Sequence, residues 1–368
     1  VETPLPDGWP AGFAATPQDR RAALVLAGLR GIAPLSLLLL AVREGAATAT
    51  AAAIREGGGG SDADRAYLAS ADADRLEARV AASGARFVVW GEAEYPAELG
   101  DLADPPLGLF VRGLPLEPGR ARVSIVGARN CTEYGREVAT SFGAGLSAAG
   151  VMVVSGAARG IDGASHRGAL DAGGRTIAVL GSGIDQPYPG TNRRLIERIG
   201  QVGTIVSEYG PGVPAEPFRF PARNRIVAAL GRAVIVVEGA PGSGSMITVD
   251  YALQLGRDVW AVPGPVTAPL SAVPNELIRG GAALVRSVDD LLAELGLPSV
   301  PPEAERDLPP DAAEILAVLS GHPEEAEALA ARAGRTAPEV LQALLELEMR
   351  GLARRVGGRF ERTLRAGR

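Results

Sequence analysis

Five segments of the chain combine glycine or serine with residues that grip anions: VGARN (126–130), SGAARGID (155–162), LGSGIDQPYPGTN (180–192), FRFPARNR (218–225) and EGAPGSGSMIT (238–248). Where such a segment joins a strand to a helix, its bare backbone N–H groups point outward and favour an anion. Three of the five also carry arginine, whose planar fork matches two phosphate oxygens at once. FRFPARNR places Arg219, Arg223 and Arg225 within one short run and interleaves Phe218 and Phe220, rings on which a base can stack. A mononucleotide scarcely needs so many loops; a strand of several phosphates does.

Other chemistries fit less well. A dinucleotide site needs G-x-G-x-x-G after its first strand, and neither VSIVGARNCTEYG nor VMVVSGAARGIDG has that spacing. The Walker sequence is excluded because all 37 basic residues are arginine. Two histidines, His166 and His322, and a single cysteine, Cys131, argue against a zinc site. His166 reads as a packed or surface side chain rather than a catalytic base. Neither catalytic residues nor a cofactor nor a metal is expected.

These segments must be held by a scaffold, and the hydrophobic pattern describes it. From about residue 86, short β-branched runs (ARFVVW, LGLFVRG, VSIVGA, VMVVSG, TIAVLGSG, GTIVSEY, AVIVVEG, DVWAVPG) end in glycine or turns and alternate with helical stretches. Strands apolar on both faces, separated by helices, predict an α/β fold with a doubly wound parallel sheet, whose ligands sit beyond the carboxyl ends of the strands. Ahead of it, residues 18–82 read as short helices, with a helix–turn–helix pair bent at Gly31 and Pro34, a form that sometimes grips DNA backbone but here reads as plain helical packing, and a flexible break at GGGG (57–60). Behind it, a Pro-rich acidic linker precedes three helices and a hairpin turning at Gly357–Gly358, the element order of a winged helix. The third of those helices carries Glu339, Glu346 and Glu348 and almost no basic residue, which favours protein contact or packing over reading a DNA groove.

Composition sets the outer bounds. The net charge of −6 excludes a globally basic nucleic-acid binder, but residues 112–290 hold 18 Arg against 15 acidic groups, whereas both flanks are acidic. An all-arginine basic complement is also what a GC-rich genome produces. One cysteine rules out an internal disulfide framework and fits a reducing cytosol. The longest apolar stretches, such as SLLLLAV, fall far short of a membrane span, and the acidic, Pro-rich VETPLPDGWP does not resemble a secretory signal.

The ordered motifs VGARN, SGAARGID..SH..AL, LGSGID..YP..N, SEY..G..P, FPARNRI, SGSMIT, GR.VWAVPG and NELI resemble the DprA (DNA-processing protein A, Smf) family over about residues 85–290. The resemblance implies a Rossmann-like DNA-binding core at 85–296, a helical SAM-like domain at 1–84, a linker at 297–311 and a winged-helix domain at 312–368. It further implies a cytoplasmic, homodimeric, non-enzymatic protein that binds single-stranded DNA, protects it during natural transformation, and helps load RecA onto strands coated by single-strand-binding protein. Carried onto this chain, the DNA-binding set is Arg129, Ser155, Gly156, Arg159, Gly160, Phe220, Arg223, Asn224, Arg225, Ser243, Gly244 and Ser245. On that reading the anion held by SGAARGID is a DNA phosphate, and Phe220 contacts a base. Asp162 orients Arg159 or caps the helix it starts, and Asn224 braces its own loop. The chain departs from the family pattern at Val273, where glycine is common, so that loop's backbone is expected to differ. Two rivals remain: a recombination adaptor that does not bind DNA, and a nucleotide phosphoribohydrolase, whose P-G-G-x-G-T-x-x-E signature EGAPGSGSMITVDYA lacks.

Overall fold

The computed structural model describes residues 8–298 and 307–363; most of the proline-rich part of the linker, 299–306, lies outside the described residues. Five short helices come first: α1 (Pro17–Leu26), α2 (Pro34–Glu44), α3 (Ala47–Arg55), α4 (Asp62–Ser70) and α5 (Ala73–Ala82). Local chemistry sets their starts. Pro17 and Pro34 occupy first-turn positions, where a missing N–H costs nothing, and Thr16, Ser61 and Asp72 accept first-turn N–H groups. The bend between α1 and α2 falls at Gly31, as the sequence suggests. The buried Asp64 carboxylate pins it by accepting the Arg30 and Gly31 N–H groups at 3.0 and 2.9 Å. The glycine run at 57–60 forms the turn between α3 and α4, where the Gly58 N–H donates to the Ala53 carbonyl at 2.8 Å.

The sheet has nine strands: β1 (Ala85–Val89), β2 (Gly108–Gly113), β3 (Arg122–Val126), β4 (Met152–Ser155), β5 (Thr176–Leu180), β6 (Thr204–Ser207), β7 (Ala233–Val236), β8 (Asp258–Ala261) and β9 (Ala283–Leu284), in the spatial order 1-2-6-5-4-3-7-8-9. From β6 to β9 the neighbours are parallel, and the inner strands β3 to β7 are buried along their whole length, which is why their sequences lack alternation. β1 and β2 depart from the parallel expectation. Only a 3₁₀ turn at Ala97–Asp101 lies between them, and without a crossover helix the chain returns antiparallel.

Helices cover both faces. α6 (Glu133–Ala148), α7 (Ile161–Asp171), α8 (Arg193–Val202) and α12 (Val288–Glu294) lie on one, together with the N-terminal helices. α9 (Arg219–Leu230), α10 (Ser245–Gln254) and α11 (Ala272–Arg279) cover the other. Val273 opens α11 with its side chain in the core and its N–H on the Gly239 carbonyl at 3.1 Å. Beyond the linker, α13 (Pro310–Val318), α14 (Ala326–Ala333) and α15 (Ala337–Met349) pack around a separate core with the hairpin β10 (Ala353–Val356) and β11 (Arg359–Arg362). That hairpin turns at Gly357–Gly358, both at positive φ, as a tight two-residue turn requires. Among the described residues, no single helix is long and apolar enough to cross a membrane.

Candidate functional site

The chain winds outward through β3, β4, β5 and β6, then returns to place β7 on the other side of β3. A crevice therefore opens at the carboxyl ends of β3 and β7, where doubly wound folds bind ligands. Here the protein's own carboxylate fills it. Glu238, just after β7, accepts the Thr132 N–H at 2.9 Å and the Thr132 hydroxyl at 2.5 Å, at the start of α6. Gly135 in the first turn of α6 makes room for it, since a Cβ there would stand 2.3 Å from Glu238 Oε2. The positive end of α6 is thus already neutralised.

The same holds for SGAARGID, whose backbone donors meet a carboxylate of the chain itself. Its N–H groups at Gly156 and Ala158 donate to Asp162 Oδ2 at 3.2 and 3.3 Å, with Ala157 at φ +54° completing the concave turn. The anion in the turn is Asp162 itself, bonded to N–H groups ahead of its helix rather than paired with Arg159. Opposite lies Arg223, only 4% exposed, against Gly156 so closely that a Cβ on that glycine would stand 2.1 Å from Nη1. Arg223 also donates to the Val179 carbonyl. Burial pushes the Arg223 pKa down to about 10, resisted by Asp162 and aided by the Arg129 charge. Burial likewise raises the Asp162 pKa, with Arg223 and the two N–H groups opposing it.

Several other sequence-assigned residues also turn inward. Arg225, 3% exposed, is enclosed by carboxylates: Nη2 and Nη1 bond Glu208 at 2.7 and 3.0 Å, and Nε bonds both Asp104 oxygens at 3.2 Å. Burial lowers its pKa, yet the two acids together outweigh burial and hold it above the ordinary arginine value. Ser155 is fully buried and donates to the Ile125 carbonyl at 2.6 Å, tying β4 to β3. Asn224 donates to the Gly244 carbonyl at 3.1 Å, so it braces the neighbouring Ser243–Ser245 turn rather than its own segment. In that turn the Ser243 and Ser245 hydroxyls bond each other at 2.6 Å, Ser245 is buried and Gly244 faces solvent. Gly160, at φ +72°, has no room for a side chain: a Cβ would stand 2.1 Å from the Ala128 carbonyl oxygen. FRFPARNR itself is not a loop but the opening of α9, with Pro221 tolerated in the first turn. His166 is wholly buried, its Nδ1 is 2.7 Å from the Thr176 hydroxyl, and burial takes its pKa down to about 3.

What faces outward is a different constellation. Arg129 and Arg159 are exposed and have no carboxylate partner among the described residues. With Arg136, Arg167, Thr191 and Asn192 they line a cleft of about 300 Å³ that no acidic side chain lines. Arg136 is paired with Glu133 at 3.0 Å, while burial lowers the pKa of Arg167, helped by the charge of Arg136. Asn192 fixes the cleft wall by donating to the Ala157 and Ala158 carbonyls at 3.1 and 2.8 Å. At the rim, Arg129 lies 5.6 Å from the Phe220 ring centre, and Tyr188 stacks obliquely on Phe220 at 5.2 Å. Gly181 underlies that ring, since a Cβ there would come within 2.8 Å of it. A concave, arginine-lined surface bordered by two rings binds phosphates and offers a platform for a base.

Arg136, Arg167, Tyr188 and Asn192 were not identified from sequence. Marking every basic side chain within two turns of a strand-end loop finds Arg136 and Arg167. Tyr188 and Asn192 stand inside LGSGIDQPYPGTN, a segment recognised for its glycines rather than its ring or amide.

The family model described as DNA recombination-mediator protein A matches residues 86–296, and that of the DprA winged helix domain matches 299–359. Protein Smf of Escherichia coli is 38% identical over 283 residues, covering 74% of this chain and 76% of its own. The putative DNA processing protein DprA of Mycobacterium tuberculosis is 44% identical over 255 residues, 66% of this chain and 64% of its own. Among solved structures, DNA processing protein A from Streptococcus pneumoniae superposes with a TM-score of 0.65 at 34% identity, covering 76% of this chain and 98% of its own. The Helicobacter pylori protein, solved for its single-stranded DNA binding mode, gives a TM-score of 0.52 at 27% identity over 58% of this chain and 97% of its own.

Proposed function

The chain belongs to the DNA recombination-mediator protein A family, and on that premise we propose that it binds single-stranded DNA and mediates its recombination during natural transformation. The observation that carries this reading is the arginine cleft free of acidic side chains, opening beside Phe220 and Tyr188. Arg129 and Arg159 take phosphates, and Phe220 with Tyr188 offers the base-stacking platform. Ser243 and Gly244 lie on the outward part of the neighbouring turn. Phosphate contacts and stacking are tolerant of sequence, so the strand is held without base-specific readout.

The protein acts on this reading as a cytoplasmic homodimer that binds rather than catalyses. The sealed, neutral His166 supports the non-enzymatic role. Delivery of the strand to RecA, from DNA coated by single-strand-binding protein, requires a protein-docking surface. Leu341, Leu345 and Met349 supply one: they lie on one stripe of α15 at 44, 55 and 70% exposure.

Titration of labelled oligothymidylate at several salt concentrations tests the binding, with an equal-length duplex and an Arg129→Ala/Arg159→Ala variant in parallel. Tight single-strand binding is expected, with log K falling by about 0.7 per neutralised phosphate for each tenfold rise in salt. The variant is expected to bind more weakly with a shallower slope and to melt as the wild type does. Equal affinity of variant and wild type would remove the cleft from the site.

A further inference from the structure

Beyond the cleft, a second series of rings and guanidinium groups runs from the start of α9 to the N-terminal helices. Phe218, directly ahead of α9, is 65% exposed. The Arg219 guanidinium lies 5.1 Å from its ring centre and 5.2 Å from that of Tyr209, and Arg30, in the turn between α1 and α2, lies 5.8 Å from the same Tyr209 ring. The members differ in what they have left to offer. Arg219 is buried and committed to Glu216 at 3.0 Å and to the Pro214 carbonyl. Arg30 is exposed and makes no ion pair among the described residues. Partial burial and then the charge of Arg219 push its pKa down, so a nearby anion would relieve it. The turn that carries Arg30 is held in place by Asp64.

Phe218 and Phe220 flank Arg219 at the start of α9, so the cleft-side ring and the exposed ring are carried by the same helix turn. A large ring left in water is the informative kind of exposure, and alternating rings and cations match the alternation of bases and phosphates along a single strand. We propose that single-stranded DNA leaving the arginine cleft continues across Phe218, which stacks a base, and onto Arg30 of the N-terminal helices, which takes a phosphate. This rests on the single-strand reading above. It makes the N-terminal helical region part of the DNA-binding surface.

Strand length separates the two. Full-length protein is titrated with oligothymidylates of about 6 nucleotides, enough for the cleft, and about 20, enough for cleft and extension. Phe218→Ala is expected to bind the short strand as wild type does and the long one about 5- to 100-fold more weakly, with Phe218→Trp restoring it. Arg30→Ala is expected to flatten the salt slope for the long strand by about 0.7 and leave that for the short strand unchanged. Long-strand affinity and slope equal to wild type in both variants would overturn the extension while leaving the cleft intact. Equal weakening at both lengths would overturn it too, by making the effect general. Failure of the wild type to bind either length would instead refute the parent reading, and the extension with it.

Discussion

Replacing Arg225 by alanine distinguishes an interior role from a DNA-contacting one. The side chain bonds four carboxylate oxygens, two on Glu208 and two on Asp104, and is itself only 4% exposed. Removing one partner from a buried ion cluster costs about 3–5 kcal/mol, because the stranded charges lose their counterion. Asp104 and Glu208 retain 33 and 21% side-chain exposure, so water partly re-solvates them, and the cost belongs at the low end, about 3 kcal/mol. For a core of this size that lowers the melting temperature by about 6–12 °C. The assay pairs thermal unfolding with DNA titration well below the melting point. Arg225→Ala is expected to melt early yet keep the wild-type salt slope, whereas Arg129→Ala keeps its melting temperature and loses slope. If Arg225→Ala melts like wild type and loses both affinity and slope, then its guanidinium leaves its carboxylates to hold phosphate, and the interior assignment is refuted.

Phe220→Ala is expected to weaken single-strand binding by about 1–3 kcal/mol, the value of one stacked base, and fluorescence anisotropy with oligothymidylate checks this. Asp162→Asn removes the carboxylate whose charge offsets the buried Arg223, and denaturant unfolding is expected to show lower stability than wild type even though the loop arginines are untouched. His166 titrates near 6.5 in the unfolded chain and near 3 in the core, so the unfolded state binds the extra proton between those values. Its contribution to stability is therefore full above about pH 6.5 and falls by about 1.4 kcal/mol per unit below it. Stability measured at pH 6 and pH 5 is expected to show that slope reduced in His166→Gln relative to wild type.

Much of the scaffold is legible locally. Uninterrupted β-branched runs ending in glycine mark the inner strands, because a strand covered on both faces has no polar side to display. Pro310 opens α13 inside the stretch that reads as linker, because a proline at a first helical position forfeits only an N–H that has no intrahelical partner. The paired glycines at 357–358 mark the terminal hairpin, because that turn demands positive φ at both positions. The direction of β2 was not legible, as nothing in GLFVRG says which way its neighbour runs.

The site divides along the same line. Residue types and spacing determined that glycine-rich turns and arginines gather at the carboxyl ends of the strands, and Arg129 and Arg159 are exposed there beside a half-buried Phe220. Only the tertiary structure decided which groups remain available to a ligand. FPARNR reads as a basic loop, but the apolar run Ile226–Leu230 that follows carries it into a buried helix, where Arg223 lies against Gly156 with its charge offset by Asp162 and Arg225 bonds Glu208 and Asp104. Those partners lie 61, 17 and 121 positions away in the chain, so no local pattern announces them. The turns, likewise, advertise backbone donors whose occupants, Asp162 and Glu238, become known only once the chain has folded back. A charge or an N–H group has a chemistry that the sequence states. Whether that chemistry is already neutralised depends on distances of about 3 Å, and those exist only in the folded molecule.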